Sequence, residues 1–367
     1  MYNEVVKSIV SISGGIIHMA KKVITRGKFE KLQQLSNKSG VIAALAIDQR
    51  GSMKKMMAAA DEKAGTEYSL EQIYKFKELV SKELTKYASS ILTDEELGFK
   101  AMAAKDPSSG LILSYEKTGY DVTTVGRFPE LLTGESIERL AAKGADAVKV
   151  LVYYNPHDKD EINDVKKAFV ERLANESRGA DMPFFLEVVT YDDAIPDAKS
   201  FEYAKAKPSL VLDALAEFTK PQYGVDVLKA EIPVNWSFVE GHTADGVTPA
   251  YTEAEAADIF KKVNETVDRP FIYLSAGVPA ETFREELTFA GESGNKYNGI
   301  LCGRATWKDG IQVFADGGEA ALTQWLETTG KENVEELNQI LDKYAKPWYS
   351  WYGGLDNIEV VDSVVTK

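Results

Sequence analysis

The amino-acid sequence predicts an α/β fold, and within that class a (β/α)8 TIM barrel that forms a single domain with extra N- and C-terminal segments. Two observations predict it: eight short apolar runs occur along the chain, and helical stretches alternate with them. Eight such strands form this barrel, and near-continuous apolar strands are typical of a parallel sheet covered by helices. A doubly wound open sheet is the alternative, but no G-x-G-x-x-G turn follows the first predicted strand.

The predicted strands are short and spread over most of the chain. They span residues 41–47, 89–94, 110–117, 146–154, 184–191, 224–235, 271–277 and 299–307. Helical patterns lie between them, over 27–38, 69–87, 134–144, 159–177, 253–265 and 279–292. After the last strand, 317–344 predicts two helices with a break at Gly330. The long polar stretch 237–252 predicts a loop on the catalytic face.

Three segments follow from this pattern. Residues 1–26 are predicted to be an N-terminal tail, either disordered or an extended start. Residues 27–346 form the predicted barrel, and residues 347–367 a C-terminal aromatic tail. We expect the aromatic tail to pack on the barrel or at a subunit contact, so a homo-oligomer is among the expected states.

Charge and cysteine content exclude several classes of function. The net charge of −14 argues against nucleic acid or an anionic membrane as a partner. The one cysteine, Cys302, allows no intramolecular disulfide. The apolar stretch 8–17 is too short and too interrupted for a secretory signal or a membrane span. We therefore expect a cytoplasmic protein.

One predicted strand, 224–235, has a lysine in the middle of its apolar run. Lysine is rarely fully buried unless it is paired or used in chemistry. Because a desolvated amine becomes a usable nucleophile, Lys229 is a candidate for Schiff-base formation with a carbonyl substrate. The alternative is a structural lysine that points outward and reaches water, and for this residue taken alone that alternative is favoured.

Several other strands carry ionisable residues at their centres or C-terminal ends. These are Asp48, Glu116, Lys117, Lys149, Glu187 and Arg304. Inward-facing residues alternate along barrel strands, and adjacent strands lie ~4.8 Å apart, so Lys149, Glu187 and Lys229 could meet near the barrel mouth. The alternative for each residue is an ion pair that braces the barrel interior, but Asp48, Lys149, Glu187 and Lys229 together favour an active site.

This group has a chemical logic. A protonated Lys149 would disfavour a second positive charge and help to keep Lys229 as the free amine. Glu187 is placed to transfer protons during carbinolamine formation, dehydration and C–C cleavage. Asp48, after the first strand, could position or deprotonate a substrate hydroxyl.

The last two predicted strands indicate a phosphate site. Ser275 and Gly277 end strand seven, while Gly303 and Arg304 lie in the predicted strand eight. Loops after these two strands commonly bind phosphate in TIM barrels, and an arginine adds a bidentate contact. Simple turn glycines are the alternative for Gly277 and Gly303.

The sequence gives no support for metal catalysis. It has only three histidines, His18, His157 and His242, and none is paired at ligand spacing. We therefore expect neither a metal site nor another cofactor.

Seven segments, in order along the chain, carry a resemblance to a known family. They are AIDQRG (46–51), YEKTGYD (115–121), GADAVK (144–149), PFFLE (183–187), GVDVLK (224–229), YLSAG (273–277) and LCGRATW (301–307). In these segments the chain resembles the class I tagatose-1,6-bisphosphate aldolases of the LacD type. The resemblance implies a metal-free, Schiff-base lyase with a (β/α)8 barrel. Such enzymes cleave D-tagatose 1,6-bisphosphate to dihydroxyacetone phosphate and D-glyceraldehyde 3-phosphate in the tagatose-6-phosphate route of lactose and galactose use.

The resemblance also implies roles for individual residues. It places the Schiff-base lysine at Lys229, the acid/base glutamate at Glu187, a supporting lysine at Lys149 and the substrate-orienting aspartate at Asp48. It places phosphate contacts around Ser275, Gly277, Gly303 and Arg304, with Gln49 and Arg50 as contributors.

The implied partner is a small phosphorylated ketose. Because the family has loose stereochemical control, related ketose bisphosphates are also expected to be cleaved. Two alternatives stay open: the same chemistry on fructose 1,6-bisphosphate or a sulfonated analogue, and a non-catalytic regulatory protein that binds sugar phosphates.

Overall fold

The computed structural model describes residues 21–117 and 123–363, and its central feature is a closed barrel of eight parallel strands. The barrel strands are β2 (Ile42–Ala46), β3 (Ser90–Thr93), β4 (Gly110–Ser114), β5 (Ala147–Tyr154), β6 (Phe184–Thr190), β7 (Val227–Ala230), β8 (Phe271–Leu274) and β9 (Gly299–Cys302). Each pairs with the next along the chain, and β9 pairs with β2. Outside the barrel, β1 (Lys22–Thr25) pairs in parallel with β10 (Ile358–Val361). The predicted (β/α)8 barrel is confirmed.

Helices surround the barrel. They are α1 (Arg26–Gln34), α2 (Gly51–Ala64), α3 (Leu70–Leu84), α4 (Glu95–Ala104), α5 (Ile137–Ala142), α6 (Asp160–Gly179), α7 (Phe201–Phe218), α8 (Glu253–Thr266), α9 (Ala280–Glu292), α10 (Arg304–Trp307), α11 (Gly310–Trp325) and α12 (Lys331–Tyr344). Capping boxes at Ser69 and Thr252 fix where α3 and α8 begin. Among the helices of residues 21–117 and 123–363, none combines the length and the hydrophobicity of a transmembrane span.

Two predicted elements near the C-terminus differ from the structure. The predicted strand 299–307 was wrong beyond Cys302, because Arg304 begins helix α10. Gly303 turns the chain there, and its carbonyl oxygen accepts hydrogen bonds from the backbone N–H and the hydroxyl of Thr306. The helix predicted from residue 317 begins earlier, at Gly310, and a π-helical turn over Leu326–Gly330 joins α11 to α12 at the predicted break.

Side chains alternate strictly along each strand, so successive residues face opposite sides of the barrel wall. Outward residues pack against the helices, and inward residues fill the barrel. The inward set includes Ala44, Leu92, Ile112, Ala147, Phe185, Val227, Ile272 and Leu301. With a period of two residues, the next inward positions are ionisable: Asp48 follows Ala46, Lys149 follows Ala147, and Lys229 follows Val227.

The aromatic tail closes the N-terminal end of the barrel. Trp348 is fully buried, and its ring packs on Phe29, Tyr349 and Tyr352 at centroid distances of 6.0, 5.6 and 6.3 Å. The backbone N–H of Trp348 donates to the carbonyl oxygen of Gly40, just before β2. Of the two expected locations for this tail, the structure shows packing on the barrel.

Glycine is required at position 40 because of this tail. Gly40 has a left-handed backbone (φ 74°), and a Cβ atom there would lie 2.5 Å from the ring of Tyr349. Within the predicted N-terminal tail, residues 22–25 form β1, which pairs with β10 in the C-terminal segment. The boundaries at residues 27 and 346 stay a prediction.

We predict that Trp348→Ala destabilises the protein by about 3–5 kcal/mol, because it leaves a large cavity under the barrel. The measurement is urea unfolding followed by circular dichroism. Leu355→Ala is the control, since Leu355 is exposed in the same tail and its truncation should cost less than about 0.5 kcal/mol. Equal losses in the two variants would contradict the role of Trp348 as the barrel plug.

Candidate active site

The inward face of the barrel is charged at its C-terminal end. Five ionisable side chains converge there from five strands or the residues that directly follow them: Asp48, Glu116, Lys149, Glu187 and Lys229. All five lie on the inward phase of their strands, above the apolar filling of the barrel. The structure therefore brings together the four residues predicted to act in catalysis and adds Glu116 to them.

Lys149 is the centre of this network. Its ammonium nitrogen lies 2.8 Å from Asp48 Oδ2, 2.5 Å from Glu116 Oε1 and 3.0 Å from Glu187 Oε2. The side chain is only 1% exposed. An ammonium group has three donors, so the three carboxylates account for its hydrogen-bonding capacity.

Glu187 connects the two lysines. Its Oε2 atom lies 2.8 Å from Lys229 Nζ and 3.0 Å from Lys149 Nζ. The strand register explains this contact, because Glu187 on β6 is paired with Lys229 on β7. A carboxylate within hydrogen-bonding distance of an amine can transfer protons to and from whatever that amine becomes.

Charge and burial together set the protonation of this network. Burial favours the neutral form of Asp48, but the Lys149 and Lys229 ammonium groups outweigh it and hold the pKa of Asp48 well below its usual range. The same balance lowers the pKa of Glu187. Burial likewise opposes the charge on Lys149, yet the surrounding carboxylates raise the pKa of Lys149 well above its usual value. Asp48 and Glu187 are therefore carboxylates, and Lys149 an ammonium, at neutral pH.

Glu116 behaves differently from the other two carboxylates. Burial raises the pKa of Glu116, and Lys149 only partly offsets this effect while Asp48 adds to it. Glu116 is therefore the carboxyl of the three that takes up a proton most readily. From the sequence we predicted no role for Glu116 beyond that of a charge at a strand end. Its inward phase, two residues after Ser114, was the pattern that could have identified it.

The two residues after Asp48 lie at the C-terminal end of the barrel, beside the charged network. Gln49 Nε2 is 3.3 Å from Asp48 Oδ1. Arg50 is buried and donates through Nη2 to the carbonyl oxygen of Glu116 at 2.8 Å. Its Nε and Nη1 atoms are buried and have no hydrogen-bond partner in the part of the chain that the structure describes. Arg50 thus retains donors that an anionic ligand could use.

A buried ion pair between Lys77 and Asp94 lies near the network and was not predicted from the sequence. Both side chains are fully buried, and Asp94 also caps α4 by accepting from the backbone N–H of Leu97 at 2.7 Å. Lys77 is a further positive charge that acts on Asp48. Its contribution is electrostatic support, since it has no direct contact with the five central side chains among the ion pairs described.

The predicted phosphate residues also meet at the C-terminal mouth. Gly277 has a left-handed backbone (φ 81°), and a Cβ atom there would lie 2.5 Å from the guanidinium carbon of Arg304. Ala276 beside it is also left-handed (φ 48°), which is strained for a residue with a side chain. A Cβ atom at Gly303 would lie 3.1 Å from Gln49 Nε2, so this glycine brings the loop after β9 close to the loop after β2.

Within residues 21–117 and 123–363, no group of three or more His, Cys, Asp or Glu side chains is arranged to hold a metal ion. The three carboxylates of the network surround the Lys149 ammonium. His157 and His242 each lie beside a single carboxylate, of Asp213 and Glu285 respectively, and His18 lies outside the described residues.

Comparison with known proteins gives a consistent result. Residues 42–309 match the family described as DeoC/LacD family aldolase. The tagatose 1,6-diphosphate aldolase of Listeria monocytogenes (serotype 4b, strain CLIP80459) is 52% identical over 92% of this chain and 98% of its own length. Tagatose 1,6-diphosphate aldolase 2 of Enterococcus faecalis is 52% identical, covering 89% and 97%, and the Lactococcus lactis subsp. lactis enzyme is 49% identical, covering 89% and 98%.

Solved structures support the fold alone. The fructose-bisphosphate aldolase of Plasmodium falciparum superposes with a TM-score of 0.64 at 15% identity, over 89% of this chain and 98% of that one. The fructose-bisphosphate aldolase of Slackia heliotrinireducens gives a TM-score of 0.53 at 13% identity, over 85% and 90%.

We predict a specific pH dependence for Asp48→Asn. The pKa of Asp48 is lower in the folded protein than the ~3.9 of an unfolded chain, so its ionised form stabilises the fold above that pH, and this contribution is lost as the pH falls below it. The variant should be less stable than the wild type at pH 7, and the gap should narrow between pH 5 and pH 3.

Urea unfolding across this pH range measures the gap. Asp356→Asn, which changes an exposed aspartate in the C-terminal segment, should follow the wild type throughout. A gap between the Asp48 variant and the wild type that is constant from pH 7 to pH 3 would contradict the proposed charge balance.

Proposed function

The chain belongs to the DeoC/LacD aldolase family, and from this membership we propose that it is a class I aldolase that cleaves tagatose 1,6-bisphosphate to dihydroxyacetone phosphate and glyceraldehyde 3-phosphate. One observation carries the chemistry: Lys229 is 5% exposed and shares the Glu187 carboxylate with the protonated Lys149. A buried amine with an adjacent proton-transfer group is what a Schiff-base mechanism requires.

The first step in this proposal is capture of the C2 carbonyl. Glu187, 2.8 Å from Lys229 Nζ, is assigned to take a proton from the Lys229 ammonium, so that the neutral amine attacks C2. The attacking nitrogen then passes a proton to the former carbonyl oxygen to give a carbinolamine. Protonated Glu187 supplies the second proton to the departing oxygen, which leaves as water. The product is an iminium between Lys229 and C2.

The second step is cleavage of the C3–C4 bond. Removal of the proton from the C4 hydroxyl lets its electrons form the new aldehyde, while the C3–C4 electrons move to the iminium and give an enamine. Glu187 is assigned as the base, and Asp48 is assigned to orient the hydroxyl. Protonation of C3 and hydrolysis of the iminium then release dihydroxyacetone phosphate and restore Lys229.

Lys149 supports these steps without bonding to the substrate. It stays charged because three carboxylates raise its pKa, and its positive charge disfavours a second cation beside it. It also holds Asp48 and Glu187 in place. Lys149 is therefore proposed as the electrostatic and positioning residue of the network.

The phosphate groups and the compartment form the rest of the proposal. Arg304, seated on Gly277, is assigned as a phosphate anchor together with Ser275 and Gly303, and Gln49 and Arg50 are assigned as contributors. The proposed compartment is the cytoplasm. A buried thiol at Cys302, the one cysteine of the chain, is compatible with reducing conditions.

Borohydride trapping tests the Schiff base. We predict that sodium borohydride added with dihydroxyacetone phosphate leaves one covalent adduct, mapped by peptide mass spectrometry to Lys229. Lys229→Ala should give no adduct, and activity should persist in EDTA. An adduct on another lysine, or loss of activity in EDTA, would refute the mechanism.

Arg304→Ala tests the phosphate anchor. We expect KM for tagatose 1,6-bisphosphate to rise about 10- to 100-fold, with a smaller change in kcat, because a charge-assisted contact to bound phosphate is removed. Arg284→Ala is the matched control, since Arg284 lies on α9 and pairs with Glu336 on the outer helices. An unchanged KM in the Arg304 variant would remove it from the phosphate site.

A further inference from the structure

A cavity of about 560 Å³ lies at the C-terminal ends of β6, β7 and β8, beside helices α7 and α9. This volume is in the usual range of small-molecule sites. Its lining includes Tyr153, Glu231 and Ser275, which belong to or directly follow three different barrel strands. Glu231 is two residues beyond Lys229 on the same inward phase, about 6.6 Å further along the strand direction. The cavity lining therefore begins two residues beyond the lysine that is proposed to hold the substrate.

Arg127 lines this cavity from a loop whose backbone is strained. Gly126 and Arg127 both have left-handed backbones, with φ of 91° and 44°. For arginine this conformation costs about 1–3 kcal/mol, and such strain tends to persist where function requires it. The loop also keeps the arginine largely covered, with its side chain 17% exposed.

Stacking and one ion pair fix the guanidinium of Arg127. Its central carbon lies 4.1 Å from the ring centroid of Tyr191 and 5.6 Å from that of Tyr153. Its Nη2 atom is 2.9 Å from Asp193 Oδ1. The Nε atom is buried and has no hydrogen-bond partner among the described residues. Arg127 is thus a planar, immobilised cation with an unused donor at the cavity wall.

Two further cations and three carboxyl groups line the cavity with Arg127. The cations are Lys199 and Lys207. Of its carboxylates, Asp192 accepts a hydrogen bond from the backbone N–H of Ala194, and Glu231 Oε2 accepts from the backbone N–H and hydroxyl of Thr190, both at 2.7 Å. The two carboxylates are thus engaged by the protein itself.

The remaining carboxyl group in the lining is buried. Burial raises the pKa of Glu286 to about 8, so this group is mostly neutral at pH 7. Its neutrality leaves three cations against two engaged carboxylates in the cavity lining. Asp193, which pairs with Arg127, brings the carboxylates to three, so a dianionic group would meet balanced charges and the unused Nε donor of Arg127.

We propose that Arg127 binds the second phosphate of the substrate, the one on C6, and that this cavity holds the C4–C6 part of the ketose. The assignment rests on the proposed aldolase function. With C2 on Lys229 and the first phosphate at Ser275 and Arg304, the remaining carbons need a separate space that ends in a cation. Arg127 supplies that cation, and arginine matches phosphate with two parallel N–H donors.

Arg127→Gln tests the assignment with two substrates. We expect kcat/KM for tagatose 1,6-bisphosphate to fall about 10- to 100-fold, and kcat/KM for tagatose 1-phosphate, which lacks the second phosphate, to stay unchanged. Arg127→Lys should lie between wild type and Arg127→Gln, because it keeps the charge but loses the planar fork. Arg139→Gln, on the exposed face of α5, is the matched control and should behave as wild type.

Trapping separates a binding role from a structural one. Borohydride trapping of dihydroxyacetone phosphate on Lys229 needs only the first phosphate, so Arg127→Gln should form this adduct as readily as the wild type. Equal losses on both substrates, or a loss of trapping, would overturn the assignment. If the wild type forms no adduct, the aldolase mechanism itself fails, whereas failure of the Arg127 assignment is visible only in the variant.

Discussion

The active-site architecture depends on the ion pairs that the Lys149 ammonium group makes with three carboxylates. Three carboxylates surround it in the barrel interior, and without a cation they would repel one another in a poorly solvated space. With Lys149 present, two of them stay ionised, and one of these, Glu187, is shared with Lys229. The site therefore holds the proposed general base and the Lys229 amine side by side, because a second lysine compensates the charge.

The barrel itself makes this arrangement possible. Each member of the network comes from a different strand or from the residues just after it. The register between the strands therefore determines where each side chain lies. Below the charges, the inward apolar residues and the Trp348 plug fill the barrel to its N-terminal end. Because these apolar residues are close-packed, they resist small displacements and hold the charged side chains above them in fixed positions.

The parts of the site that could be predicted are those that obey strand periodicity. Asp48, Lys149, Glu187 and Lys229 converge because a period of two residues assigns each of them to the inward face. Arg304 was placed in a strand because its neighbours are apolar, whereas the turn at Gly303 depends on a backbone angle that no periodicity encodes. Arg127 and the Lys77–Asp94 pair were missed for a related reason. Arg127 lies in a loop, and Lys77 on α3 meets Asp94 at the start of α4 only after the chain has folded.

In the proposed complex, binding energy is concentrated at the two ends of the substrate. Arg304 and Arg127 are both planar cations seated against other groups, a glycine in one case and tyrosine rings in the other. Anchors of this kind recognise the separation of two phosphates more strongly than the configuration of the carbons between them. A hydroxyl that changes side between epimers alters single hydrogen bonds, each contributing less than a charge-assisted phosphate contact. Loose stereochemical control, expected from the family resemblance, is then a consequence of where the cations are placed.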